Sequence, residues 1–399
     1  MSGSTQDEAL FTPRFFALFA FTFTVFISLF QMVPTAPYRI LAIGGSTTAA
    51  GMFLGGLTYA SALSAPFTGS LVDRLGQRRV LIVTSLIIAG FSFLYSITTS
   101  YVLMIGLVLI HGVFWSGLLT ASGAYMAAIL PERRRAEGLG YWGFASITAI
   151  GVAPTFGFVV YHFGWFTLCM EMVGLNLLMA FIAWRLPELP AKPPAPHSTS
   201  LEPRSKPPEL IEWRSLVLSV TMSLVAFGYG ALTSFSALFA DSLGIVPRSL
   251  FLIAMAVSMF AGRLLIGRTI DRLGHRRVLL PSLVTSAVGM AMTALATGPV
   301  MLTAAGLVFG LGFGLMWPAF AALIIGQSGT ARRGAAYGAM IAAFDTGIGT
   351  GSTVLGAVIQ RFGYRPAFAA AAVLAALAAP YFLLVERRHV GRSEMSHVK

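Results

Sequence analysis

Twelve stretches of mostly apolar residues follow one another along the chain, at 14–34, 47–72, 79–98, 101–130, 138–160, 165–185, 214–240, 248–270, 277–297, 299–327, 334–359 and 366–385. A hydrocarbon core about 30 Å thick takes roughly 20 residues of helix to cross. Within it every backbone N–H and C=O must be bonded inside the protein, and runs of this length and spacing can meet that demand only as helices. Charge is too scarce for a water-covered surface: 11% of the 399 residues are charged and 56% are hydrophobic, where a soluble domain carries about 25% charged. The expected fold is an all-α membrane protein of twelve transmembrane helices.

The net charge of +12 rests on arginine, with Lys192, Lys206 and Lys399 the only lysines. The arginines sit in short clusters between apolar runs, which is the positive-inside pattern and not the dense basic face of a nucleic-acid binder. Only Arg39, Arg248, Arg361 and Arg365 fall in the loops of one side, and Arg263 falls inside a span. The rest lie in the termini and the alternate loops, so both termini are expected in the cytoplasm and the chain in the inner membrane as a multi-pass protein. The polar start, Met1 to Pro13, leads directly into an apolar run from Phe15 to Val33 that is too long for a signal peptide and reads as an uncleaved first helix. A lone cysteine, Cys169, leaves no internal disulfide and no CxxC metal site.

Pro187 to Glu209 holds eight prolines in 23 residues, a composition that cannot continue a helix and reads as a tether. It divides the chain into 1–186, a linker over 187–213, and 214–399. The two parts repeat one another. "GSLVDRLGQRRVL" begins at Gly69 and "GRTIDRLGHRRVL" begins 198 residues later at Gly267, with nine of thirteen positions identical. The same offset carries Asp73 onto Asp271, Arg74 onto Arg272, Gly76 onto Gly274, Arg78 and Arg79 onto Arg276 and Arg277, and Arg134 and Arg135 onto Arg332 and Arg333. In each copy the glycine permits a tight turn and the arginines anchor it at the headgroups. Two pseudo-symmetric six-helix bundles follow, an architecture of secondary transporters.

The repeated phrase resembles the signature of the major facilitator superfamily between helices two and three and its counterpart between helices eight and nine. More narrowly, "VPTAPYRILAIGGSTTAAGMFLGG", "RRRAEGLGYWG" and "RRGAAYGAMIAAFDTGIGTGS" resemble bacterial sugar-efflux and drug-efflux permeases. The resemblance implies rocker-switch alternating access, with Asp73 docking near the start of helix eleven and near Arg134 or Arg135, and Asp271 with Arg332 or Arg333 as its mirror. Two departures stand out: "LVLIHG" has Val108 where relatives often carry arginine, and "GVAPTFG" keeps Pro154 and Gly157 but has Ala153 where the drug/proton antiporter pattern expects glycine.

Ionisable groups inside a span are costly unless paired or wet, so each is a candidate site. Asp345 lies about 16 Å into helix eleven and Arg263 about 12 Å from the inner end of helix eight. Either they form a static pair or they couple protons or substrate. His111 in helix four is either a hydrogen-bonded neutral histidine or a titrating group lining the cavity. Glu171, near the start of helix six, is expected near the surface or bonded within its bundle. Gln31, Trp115, Tyr125, Tyr229 and Trp317 complete the candidates, since aromatics with a few polar groups suit a small organic substrate.

No HExxH or nucleophile–base constellation points to an enzyme, and no lysine follows "GIGTGS" to make a phosphate loop. A sensor would carry a larger soluble segment than the tether. The expectation is a monomeric secondary transporter without a cofactor, exporting a small organic solute and exchanging it for protons; import of an organic anion by uniport or proton symport is the alternative.

Overall fold

The computed structural model describes residues 9–189, 213–327 and 333–396. Twelve α-helices are present among them: α1 (Pro13–Ala42), α2 (Thr47–Leu75), α3 (Gln77–Ile97), α4 (Tyr101–Ile129), α5 (Arg135–Tyr161), α6 (Trp165–Arg185), α7 (Trp213–Ser242), α8 (Leu250–Leu273), α9 (His275–Leu295), α10 (Pro299–Gln327), α11 (Arg333–Phe362) and α12 (Tyr364–Ser396). A 3₁₀ turn at Glu132–Arg134 precedes α5. Most of the proline-rich tether, residues 190–212, lies outside the described residues.

Local chemistry sets the helix ends. Hydroxyls of Thr12 and Ser46 cap α1 and α2 at 3.2 Å, relieving unpaired N–H groups of the first turn. Gly76 and Gly274 both take φ of +85° between helices two and three and between eight and nine, a conformation that side chains resist. Most buried hydroxyls turn back onto a carbonyl of their own helix, as Thr84 does on Val80 at 2.6 Å and Ser286 on Ser282 at 2.8 Å, so they need no partner in lipid. α1 runs on to Ala42 through Pro34 and Pro37, past the end expected at 34. Prolines are tolerated there because neighbouring helices and a Thr35 hydroxyl reaching the Gln31 carbonyl at 2.8 Å supply bonds inside the bundle.

Among the described residues, nine helices are long and apolar enough to cross a membrane by length and hydropathy. Of the other three, α2 and α11 are rich in Gly, Ser and Thr and pack on each other across the bundles, so hydropathy alone undercounts them; the described apolar stretch of α8, Leu250–Leu265, is shorter than a span.

Within the first six helices, α2 packs on α4, α3 on α6 and α1 on α5. The second six repeat this pattern, with α8 on α10, α9 on α12 and α7 on α11. Between the two sets, α2 meets α11, α5 meets α8 and α1 meets α7. The repeated arginines tie each bundle to its own last helix: Arg78 donates to the Trp184 carbonyl at 2.6 Å, Arg79 pairs with Glu188 at 3.3 Å, and Arg276 pairs with Glu386 at 3.1 Å.

Candidate functional site

We call the end bearing the α1–α2 and α7–α8 loops the outer end. There the bundles close on one another through small residues. A Cβ on Gly51 of α2 would come within 2.8 Å of the Ser352 carbonyl carbon and 3.1 Å of Thr353 Cα, both backbone of α11. A Cβ on Gly349 would meet the Thr58 hydroxyl at 2.6 Å, and one on Gly356 the Thr47 carbonyl at 2.6 Å. Polar links stitch the same seam: Thr47 donates to the Gly356 carbonyl at 2.9 Å, Thr48 to Gln360 at 2.5 Å, and Tyr59 shares a hydrogen bond with Thr350. Further along α2 the stripe that faces α11 emerges: Pro66, Ser70 and Asp73 are exposed. Along α2 and α11 the bundles therefore touch at the outer end and part toward the end that carries the repeated arginine turns, while α5 and α8 stay in contact past mid-helix, where the Phe144 and Phe260 rings lie 5.9 Å apart.

A latch tops the closed end. Tyr38 at the end of α1 donates to Asp241 Oδ2 of α7 at 2.8 Å, and Arg248 pairs with the same oxygen at 3.3 Å. The Arg248 guanidinium also lies 5.1 Å from the centre of the Tyr38 ring and 5.5 Å from that of Phe158, a cation–π arrangement across the bundles. Sequence reasoning counted Arg248 only as an outer-loop cation and missed Tyr38 and Asp241. The signal available was Asp241 and Arg248 flanking one short loop. Asp241→Asn is expected to leave folding intact and to open the outer end severalfold more often, since a half-exposed ion pair is worth about 1 kcal/mol or less. Outer-side labelling of a cysteine placed in the seam measures it, and Tyr38→Phe added to Asp241→Asn should cost little more.

Asp345 is one turn before Gly349, hence on the α11 face that meets α2. It is half-buried at the point where the seam ends, and forms no hydrogen bond or ion pair with a described residue. The structure therefore does not join it to Arg263 in an ion pair. Next to it in sequence, Phe344 belongs to an aromatic group from three helices: Tyr229 stacks on Phe313 at 4.3 Å and Trp317 meets Phe344 edge-on at 4.8 Å. A small apolar cavity lies between the bundles, lined by Phe30, Val33, Pro34, Pro154, Thr233 and Met255 among others.

The other candidates sit elsewhere. Gln31, His111, Trp115 and Tyr125 are buried inside the first bundle and do not line the cavity between bundles. His111 Nδ1 is 3.2 Å from the Tyr95 hydroxyl and its ring stacks on Phe91 at 5.8 Å. Trp115 lies edge-on to Phe26 at 5.6 Å, and Tyr125 donates to the Pro187 carbonyl at 2.8 Å, holding the chain as it leaves α6. Helix four turns this face to α1 and α3, so a polar residue there serves bundle packing. Gln31 donates to Glu171, and Asn176 bridges Ser28 and Ser92.

At the inner end Gly69, Asp73 and Arg74 lie on the last turns of α2, with Asp73 exposed and in no ion pair with a described residue. The arginines expected to receive it are otherwise engaged: Arg134 forms a two-pronged pair with Glu137 at 2.9 and 3.0 Å, and Arg135 approaches Glu132 at 4.0 Å. In this conformation Asp73 forms no ion pair with either of them. In the second copy Gly274 forms its turn, and Arg276 and Arg277 begin α9. Arg332 lies outside the described residues, as do the side chains of Asp271, Arg272 and Arg333 and the surroundings of Gly267.

Two six-helix bundles of one plan, sealed at one end around a partly buried acid and parted at the other, define a multi-pass membrane carrier. The chain belongs to the Major Facilitator Superfamily, whose family model matches residues 15–269 and 249–397, and it is a secondary transporter in kind. It is 23% identical over 375 residues to the uncharacterized MFS-type transporter YhhS of Escherichia coli K12, covering 92% of this chain and 90% of that one. An uncharacterized MFS-type transporter of Burkholderia pseudomallei strain 1106a is 24% identical over 377 residues with the same coverage. Among solved structures, a bacterial homologue of the human lysosomal transporter Spinster, in an inward-facing and occupied conformation, superposes with a TM-score of 0.76 at 16% identity, over 94% of this chain and 96% of that one. The nucleoside transporter NupG superposes with a TM-score of 0.74 at 16% identity, over 94% and 99%. At such identities the likeness is one of fold.

Proposed function

We propose that this protein exports a small organic solute across the inner membrane in exchange for protons, with Asp345 as the group that solute and proton share. The observation that carries this reading is the position of Asp345: an acid bonded to no described residue, at the apex of the opening between bundles, one turn from the seam and beside an aromatic group. A carboxylate there is expensive when alone. A proton or a basic solute relieves the same deficit, and one site relieved by either of two ligands is the minimum needed for exchange.

The arginine distribution favours a cytoplasmic position for the open end, and on that reading the conformation is inward-facing. The parallel six-helix repeats favour rocking of 1–186 against 214–399 about the central site, with 187–213 as tether. In the outward-facing state Asp73 would close the inner end against Arg134 or Arg135. Such a latch must break in every cycle, which suits an exposed pair of modest strength.

The test is proton movement in proteoliposomes during addition of sugars, organic acids and lipophilic cations, comparing the parent chain with Asp345→Asn. Solute-dependent proton flux that disappears in the variant is expected. Solute flux without proton movement, equal in both proteins, would make the protein a facilitator and Asp345 a structural group.

A further inference from the structure

The first bundle holds an acid that this exchange does not use. Glu171, in the second turn of α6, accepts a hydrogen bond from Gln31 Nε2 of α1 through Oε2 at 2.6 Å. Each group has a second oxygen, Gln31 Oε1 and Glu171 Oε1, and both are buried without a hydrogen bond from any described residue. Gln31 is fully buried, and a Cβ on Gly157 of α5 would stand 2.6 Å from Gln31 Cβ. The amide is thus held between α5 and α6.

Each buried oxygen left without a donor costs about 1–3 kcal/mol, and an ionised carboxylate in a bilayer interior costs more. No described residue forms an ion pair with Glu171. The charged and titratable groups on the surrounding helices have other engagements. On α1, Arg39 donates to the Thr98 carbonyl at 3.0 Å and Tyr38 to Asp241. Tyr95 of α3 meets His111 of α4, Tyr161 of α5 stacks edge-on against Trp165, and Cys169 of α6 is a buried thiol.

One proton removes both deficits. Placed on Glu171 Oε1 and donated to Gln31 Oε1, it closes an acid–amide pair of two hydrogen bonds, N–H to one carboxyl oxygen and O–H to the amide oxygen. Exchanging the amide's nitrogen and oxygen only changes which carboxyl oxygen bears the proton. We propose that Glu171 and Gln31 form a proton-binding site inside the first bundle, separate from Asp345 and filled in this conformation. Its location gives it leverage. α1 touches α5, α6 and α7, so losing the proton loosens α1 from α6 at the level where α1 and α5 border the cavity between bundles.

The test is infrared difference spectroscopy of the full chain in lipid vesicles, in an Asp345→Asn background so that Asp345 is silent. A protonated-carboxyl C=O band at neutral pH is expected, lost in Glu171→Gln and shifted to higher frequency in Gln31→Leu, where the acid loses its amide. A band that survives Glu171→Gln, or no band in the parent, overturns the proposal, because Glu171 is then ionised and its oxygens are satisfied by water. Glu171→Gln can still donate and accept across the same pair. Should it fail to accumulate, Gln31→Leu decides alone, and an unshifted band refutes the site. The readout does not depend on transport, so it stands or falls apart from the role of Asp345.

Discussion

Gly51→Leu is expected to abolish transport and hold the outer end open while the protein remains folded in the membrane. The position is crowded by backbone and not by side chains that could swing aside: the Ser352 carbonyl carbon lies 2.8 Å and Thr353 Cα 3.1 Å from where a Cβ would stand. Both belong to α11 in the other bundle, so the clash at the Cβ falls between the bundles. Overpacking of this kind costs about 1–3 kcal/mol or more, and about 3 kcal/mol depopulates the closed-seam state by more than a hundredfold. A state that separates the bundles at this end avoids that cost entirely. The measurement uses a cysteine at Thr350, which is bonded to Tyr59 within the seam. The native Cys169 is fully buried in α6 and should stay silent. An impermeant maleimide added from the outer side should label the Gly51→Leu protein rapidly and the parent slowly. Equal labelling with intact transport would mean that the seam is not a gate.

The features legible in the sequence were those that repeat or that lipid makes obligatory. Apolar run lengths gave most helix ends within about three residues, because the bilayer fixes span length, but α1 runs on to Ala42 and α12 to Ser396, well past the expected ends at 34 and 385. The 198-residue offset gave the two-bundle plan, and its glycines at 76 and 274 both adopt positive φ. What the sequence could not convey was azimuth. His111, Trp115 and Gln31 are polar or aromatic residues on long apolar helices, and nothing in their local pattern says whether they face the cavity between bundles or a neighbouring helix of their own bundle. The hydrophobic stripe that orients a soluble helix has no counterpart when lipid and core are equally apolar. The outer latch was hidden for another reason. Tyr38 and Asp241 are 203 residues apart and come together only through the relative placement of the bundles, and the repeat gives no direct clue to that placement. Asp345 was legible because a charge within a span is conspicuous whatever its azimuth.

A leucine at Gly289 should have the opposite outcome to one at Gly51: loss of folded protein and not a trapped conformation. Gly289 lies on α9 where a Cβ would stand 2.5 Å from the Phe309 backbone nitrogen and 2.6 Å from its Cα, so the clash is again with backbone. Here, however, both helices belong to the second bundle, and α9 and α10 share one of the most extensive contacts in the molecule. Phe309 itself is fully buried and stacks with Phe313 at 5.3 Å, in the aromatic group that includes Tyr229. Separating α9 from α10 therefore strains the bundle core, and no alternative state of a rocking mechanism offers relief. The expected effect is a destabilisation of about 3 kcal/mol or more, read as a fall in membrane yield and in unfolding temperature in detergent. In rigid-body rocking, contacts within bundles persist through every state and contacts between bundles exist in only some of them. The two glycines separate these cases at nearly equal steric insult. If Gly51→Leu also unfolded the chain, or if Gly289→Leu were stable and merely shifted accessibility, the division into moving bodies would have to be redrawn.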